Sequence, residues 1–273
     1  MSLERVNAGG LVLLGCGKMG SAMLQGWLAQ GVDPKAVAIL DPNPSDWVTG
    51  LVSDGVVLNG ALPDAPAVCI VAVKPQMMGD ALPRLQTLGD GSTVFISVAA
   101  GTPIAAFEAA LGGRTPIIRA MPNTPAAVAK GITALIGNGN IAEADLVMAE
   151  GLLQAVGQTV RLSDESQMDA VTAVSGSGPA YVFHLIETLA AAGVAEGLPE
   201  ALAMQLAKAT VAGAGALAEQ ADEDPSQLRV NVTSPAGTTA AALEVLMDES
   251  DGFLPLLKRG VKAAADRSRE LAK

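Results

Sequence analysis

The sequence predicts an α/β chain, with a doubly wound parallel sheet in its first part and an all-α segment after it. Three observations carry this. Short apolar runs alternate with helical stretches as far as about residue 162, and beyond that the strand pattern stops. Half of the 273 residues are hydrophobic but only 3% are aromatic. Small aliphatic residues therefore fill the interior, which suits close-packed helices and buried parallel strands better than an all-β fold. A glycine-rich turn also joins the first apolar run to the first helical stretch. The expected division is 1–162 and 163–273.

Residues 11–14, 37–40, 68–73, 93–97, 117–120 and 132–136 read as strands. Their apolar runs are continuous, as expected where both sheet faces are covered. Helices are expected near 21–30, 76–85 and 104–111, which implies right-handed crossovers, and near 142–156 after the last long strand. In the second part, 179–195, 199–220, 237–248 and 254–271 read as helices. Pro179 and Pro199 stand where a first helical turn tolerates proline. Residues 207–218 are almost all Ala, Gly, Val and Thr, so this helix is expected to be buried on most sides. A segment of this size cannot bury all those helices alone, and packing against a second copy is the natural remedy.

A formal charge of −11 argues against a nucleic-acid partner, which demands concentrated Lys and Arg. A small anionic substrate needs only local donors and stays open. Cys16 and Cys69 fall in or beside apolar runs and read as buried free thiols in a reducing compartment. Residues 1–10 lack the apolar core of a signal peptide. The most apolar window, 201–218, contains Gln205 and Lys208 and is closed by Glu219. It falls short of the roughly 20 apolar residues of a spanning helix. A cytoplasmic protein without a membrane partner is expected.

Gly15-Cys16-Gly17-Lys18-Met19-Gly20 follows a strand and opens a helix. In that setting Gly15 allows the tight turn, Gly17 lets a pyrophosphate approach the backbone, and Gly20 lets helix and strand pack closely. The helix start supplies N–H groups and partial positive charge. This predicts a Rossmann-like dinucleotide site. Asp41 ends the second strand, where a ribose-binding carboxylate is expected. Asp41-Pro42-Asn43-Pro44 is equally good turn chemistry, and both readings stay open.

Four segments narrow the reading: Ala72-Val73-Lys74-Pro75-Gln76, Met121-Pro122-Asn123-Thr124-Pro125, Asp169-Ala170-Val171-Thr172 with Ser175-Gly176-Ser177-Gly178-Pro179-Ala180-Tyr181, and Asn231-Val232-Thr233-Ser234-Pro235-Ala236-Gly237-Thr238-Thr239. In this order and spacing the chain resembles pyrroline-5-carboxylate reductases, from about residue 11 to the final helix. The resemblance implies NAD(P)H-dependent reduction of the C=N bond of 1-pyrroline-5-carboxylate to L-proline. It implies that the glycine turn, Asn59, Ala72, Val73, Lys74, Pro75, Val98, Ala99 and Ala100 line the cofactor, with Asn231 beside the nicotinamide. Glu165, Ser234, Gly237, Thr238 and Thr239 match the substrate end. It further implies an intertwined homodimer whose active site draws on both subunits, and leaves room for a ring of five dimers, a homodecamer. Pro235-Ala236-Gly237 replaces a more usual Pro-Gly-Gly, and Asp41 stands where many relatives carry a small polar residue.

Chemistry fits these residues. The N–H groups of Gly237, Thr238 and Thr239 at a helix start can hold a carboxylate without a cation. The Thr239 hydroxyl, the catalytic candidate, can bond the ring nitrogen. A protonated imine already accepts hydride well, so the protein mainly positions the partners. His184 lies inside an apolar helix and reads as a core or interface residue. Two rivals are a related oxidoreductase, such as a reductase of other cyclic imines or a β-hydroxyacid dehydrogenase, and a catalytically silent nucleotide sensor. A β-hydroxyacid dehydrogenase ordinarily wants a lysine on the first C-terminal helix, and residues 178–187 hold none. The intact segment around Thr239 argues against the silent sensor.

Overall fold

A computed structural model describes residues 2–271. The chain divides into two compact units. The first comprises residues 2–176 together with 265–271, and the second residues 177–264.

The first unit is built on an eight-stranded sheet: β1 Leu11–Leu14, β2 Val37–Leu40, β3 Val57–Leu58, β4 Val68–Val71, β5 Val94–Ser97, β6 Ile117–Met121, β7 Gly131–Gly137 and β8 Gly157–Arg161. Their spatial order is β3-β2-β1-β4-β5-β6-β7-β8. β1 to β6 are all parallel, β7 runs antiparallel to β6, and β8 is parallel to β7. Alternation along the strands divides the core between the two faces. Leu11, Leu13, Ile39, Ile70 and Ile96 face one layer, and Val12, Leu14, Leu40, Val71 and Phe95 face the other. Helices α1 Ser2–Gly9, α2 Lys18–Ala29 and the short α3 Asp46–Gly50 contribute to the first layer. The short α4 Met78–Ala81 and α5 Ile104–Leu111 contribute to the second. α6 Glu143–Leu153 completes the first, and Trp27 Nε1 donates to Leu152 O at 2.8 Å to fix α2 on α6.

The expected helix over 76–85 is instead a broken path, with 3-10 turns at Pro75–Met77 and Leu82–Leu88 around α4. Pro83 removes an amide that a continuous helix needs. β3 and β8 lie outside the expected strands: one has two residues, and the other, Gly157–Arg161 at the sheet edge, has no continuous apolar run.

Compact packing divides the chain after Gly176. α7 Met168–Val171 and the following π-helical turn Thr172–Gly176 bury Met168 and Ala173. The buried Ser268 donates from Oγ to Asp169 Oδ1 at 2.6 Å, which ties the end of the last helix to this unit.

The second unit holds α8 Gly178–Ala195, α9 Glu200–Gln220, α10 Pro225–Asn231, α11 Thr238–Leu246 and most of α12 Phe253–Leu271. α8 packs on α9 through the buried Ala190, Ala203 and Ala207, with Ile186 and Met204 at the margin. The expectation that residues 207–218 are buried on most sides is not met within one chain. Apart from Ala207 this stretch is almost entirely exposed, as are Val182, Leu189, Leu202 and Leu206. Small side chains fit a close neighbour, and one copy does not supply it on these faces. Among the described residues α9 alone is long and apolar enough to cross a membrane by length and composition.

Candidate active site

In-register pairing brings the ends of four strands level. Leu14 lies beside Leu40 and Val71, and Val71 beside Ser97. The residues that follow them, Gly15, Asp41, Ala72 and Val98, therefore crowd one carboxyl edge, where ligands of open α/β sheets bind. β3 adds Asn59 next to Asp41, since Ile39 pairs with Leu58.

The three glycines of the turn differ as their roles require. Gly15 has φ +89°, and a Cβ there would meet Val73 Cγ1 at 2.8 Å and Ala72 O at 2.9 Å. A Cβ on Gly20 would drive into the carbonyl of Gly15. Gly17 faces open space, caps α2 without a side-chain bond, and leaves the first amides of that helix to a ligand. This cradle fits a dinucleotide pyrophosphate. Lys18 in the turn and Lys74 just after β4 are exposed, Met19, Ala72, Val73, Val98 and Ala100 are half-buried, and Ala99 is buried. Ser97 Oγ accepts from Ala99 N at 3.3 Å and shapes that turn.

Cys16 is buried, its Sγ 3.6 Å from Ser21 Oγ. Burial raises its pKa, the Ser21 contact lowers it, and the charge of Asp41 raises it again, with a net rise. Cys69 is fully buried and pushed up further by that burial alone. Asp41 makes the turn contacts that its sequence setting offers. Oδ1 accepts from Asn43 N at 2.8 Å and Oδ2 from Cys16 N at 2.6 Å, and the residue is buried.

Glu165 lies in the first unit, whereas Ser234, Gly237, Thr238, Thr239 and Asn231 lie in the second. Glu165 Oε1 accepts from Arg119 Nη1 at 2.8 Å and from Ile104 N, the start of α5, at 2.9 Å. The substrate-end assignment thus meets a carboxylate already engaged by a buried cation. Two of the recognised segments also meet: Asn123 Nδ2 donates to Ser175 Oγ at 3.3 Å and Asn123 Oδ1 accepts from Ile132 N at 3.0 Å. Only their pairing across 52 residues reveals this.

In the second unit α10 ends at Asn231, whose Oδ1 accepts from Gln227 Nε2 at 2.8 Å. Thr233 Oγ1 donates to Arg229 O at 2.6 Å, and Gly237 N donates to Ser234 O at 3.0 Å, closing the turn over residues 234–237. Ala236 is left-handed, φ 57°, where a glycine would be at ease. Gly237 then caps α11 with no side-chain bond, so the first-turn amides beside the exposed Ser234 and Thr238 and the half-exposed Thr239 stay available. His184 is exposed and pairs with Glu187 Oε2 at 3.2 Å on the surface of α8, not in a core.

The glycine cradle on a doubly wound sheet, followed by a helical unit with open apolar faces, defines an NAD(P)H-dependent oxidoreductase with a helical dimerisation region. Residues 11–101 match a family model described as NADP oxidoreductase, coenzyme F420-dependent. Residues 165–271 match one described as pyrroline-5-carboxylate reductase dimerisation. The chain is 38% identical over 265 residues to the pyrroline-5-carboxylate reductase of Pseudomonas aeruginosa, covering 96% of each. It superposes on the pyrroline-5-carboxylate reductase of Coxiella burnetii with TM-score 0.88 and 33% identity, covering 97% of this chain and 99% of that one. The Plasmodium falciparum pyrroline carboxylate reductase, solved with NADP bound, gives TM-score 0.81 and 28% identity over 97% and 98%. The chain belongs to the pyrroline-5-carboxylate reductase family.

Proposed function

We propose that this chain reduces the C=N bond of 1-pyrroline-5-carboxylate to give L-proline, the last step of proline biosynthesis, with NADH or NADPH as reductant. The observation that carries the reading is the pairing of two kinds of site in one chain. One is a glycine cradle with open helix amides, and the other an uncapped helix start flanked by Ser234, Thr238 and Thr239.

The amides at the start of α2 hold the pyrophosphate, and residues 72–75 and 98–100 line the rest of the dinucleotide, with Asn231 at the nicotinamide. The bound cofactor supplies the hydride. Gly237, Thr238 and Thr239 hold the substrate carboxylate through their N–H groups, aided by the hydroxyl of Ser234. The Thr239 hydroxyl bonds the ring nitrogen and fixes which face of the C=N bond is presented, which is worth several kcal/mol of positioning. We assign Glu165 to ordering Arg119 and α5 rather than to the substrate. The proposed unit is a homodimer, in keeping with the matched dimerisation model, and the family resemblance leaves room for a ring of five such dimers. The proposed compartment is the cytoplasm, in keeping with two free buried thiols.

Cofactor oxidation followed with 1-pyrroline-5-carboxylate tests the reading. Thr239→Ala is expected to lower turnover by roughly tenfold to a thousandfold with the dissociation constant of the cofactor nearly unchanged. Wild-type turnover in that variant removes Thr239 from the mechanism.

A further inference from the structure

The glycine turn is not held by its glycines alone. Cys16 N–H points back into the protein, where Asp41 Oδ2 accepts it at 2.6 Å, while the other carboxylate oxygen closes the next turn on Asn43 N at 2.8 Å. Asp41 is in turn held at its backbone. Asn59 Oδ1 accepts from Asp41 N at 3.0 Å and Asn59 Nδ2 donates to Asp41 O at 2.7 Å. Asn59 reaches both groups from the left-handed region, φ 51°, with its own amide on Ile39 O at 2.8 Å. Asparagine tolerates that conformation better than most residues. The chain Asn59–Asp41–Cys16 thus runs across the ends of β3, β2 and β1, fastening the first amide after Gly15 to two neighbouring strands.

A ribose clamp needs carboxylate oxygens that face the ligand. Here each oxygen receives a backbone amide, and the residue is only 9% exposed. The same carboxylate lies where it sets the direction of the peptide between Gly15 and Gly17, and hence the orientation of the amides that follow.

We propose that Asp41 is a positioning residue for the dinucleotide. It fixes the backbone of the glycine turn and so sets the affinity for NADH and NADPH alike, and Asn59 is the residue that keeps it there. This rests on the placement of the dinucleotide at residues 15–20 proposed above. It makes a different forecast from a ribose clamp, because a clamp that is removed shifts preference toward the 2′-phosphate, whereas a loosened turn weakens both cofactors.

The experiment measures dissociation constants of NADH and NADPH for the full-length protein, at fixed ionic strength, together with hydrogen exchange of the peptide covering residues 15–20 in the free protein. Asp41→Asn keeps the size but leaves one of the two backbone amides without an acceptor. It is expected to weaken both cofactors by about tenfold, with their ratio unchanged and faster exchange in the turn. In kinetics the loss falls on the KM of the cofactor more than on kcat. Asn59→Gly retains the backbone conformation and removes both side-chain bonds. It should weaken both cofactors in the same direction, and it serves as the second variant if Asp41→Asn does not fold. A tenfold gain in the NADPH-to-NADH preference, or unchanged affinity for both, overturns the proposal. Gly17→Val tests the placement separately: unchanged binding there would take the dinucleotide away from the glycine turn and the proposal with it.

Discussion

Arg119 and Glu165 form a partly buried ion pair, with Nη1 to Oε1 at 2.8 Å, the arginine side chain 7% exposed and the glutamate 32%. The same oxygen accepts the first amide of α5. One carboxylate therefore neutralises a cation inside the sheet and caps a helix whose preceding residue, Pro103, has no side-chain acceptor. Removing it strands a desolvated guanidinium. Glu165→Ala is expected to cost about 2–3 kcal/mol of stability, and Glu165→Gln, which keeps an acceptor, less. Urea unfolding of the three proteins measures this. An alanine variant as stable as the parent would return Glu165 to the pool of substrate-binding candidates.

Ala236 occupies a left-handed conformation between Pro235 and Gly237. The Cβ costs about 1 kcal/mol there, and glycine gives back part of that gain through a freer unfolded chain. Ala236→Gly should thus stabilise the protein by roughly 0.5 kcal/mol, seen as a small rise in the thermal midpoint. A fall would mean that the methyl group makes a favourable contact in the assembled protein.

Both cysteines are held as thiols. Burial raises Cys16 and Cys69 alike, and the Asp41 charge adds to the effect at Cys16. In the unfolded chain they ionise near pH 8.5. Their contribution to stability is therefore complete below that pH and declines as pH rises from there toward the folded values. Iodoacetamide at pH 7.5 should label the native protein far more slowly than the unfolded one, with Cys69 slower than Cys16. Rapid labelling of Cys69 in the folded state would contradict the burial.

Leu206 on α9 is 47% exposed in the single chain and lies in an apolar hollow with Leu189, Ala203 and Ala207. The matched dimerisation family model spans this helix. Leu206→Glu costs little within one copy but places a charge against an apolar partner face. Sedimentation should show the variant as a monomer at micromolar concentration where the parent is a dimer, with unchanged far-ultraviolet circular dichroism. A dimer of undiminished affinity would place the interface elsewhere.

β1, β2, β4 to β7, the glycine turn and the helical second part were legible in the residues alone, because each is written locally. β1 and β2 have the expected limits, since their apolar runs end sharply at Gly15 and Asp41. α5 likewise ends at Gly112, which takes a positive φ that a side chain would resist. The family also followed from contiguous segments. Features that depend on partners distant along the chain emerge only from the folded arrangement. β8, with its mixed polar pattern, is a strand because β7 offers it an edge to pair with. Asp41 serves the glycine turn because Asn59, 18 residues on, holds its backbone. Glu165 is bound to a cation 46 residues before it, which no local pattern could announce. The exposed flank of α9 is read the same way. Small residues declare close packing, but they do not say whether the neighbour belongs to the same copy, because the attraction between apolar surfaces carries no address.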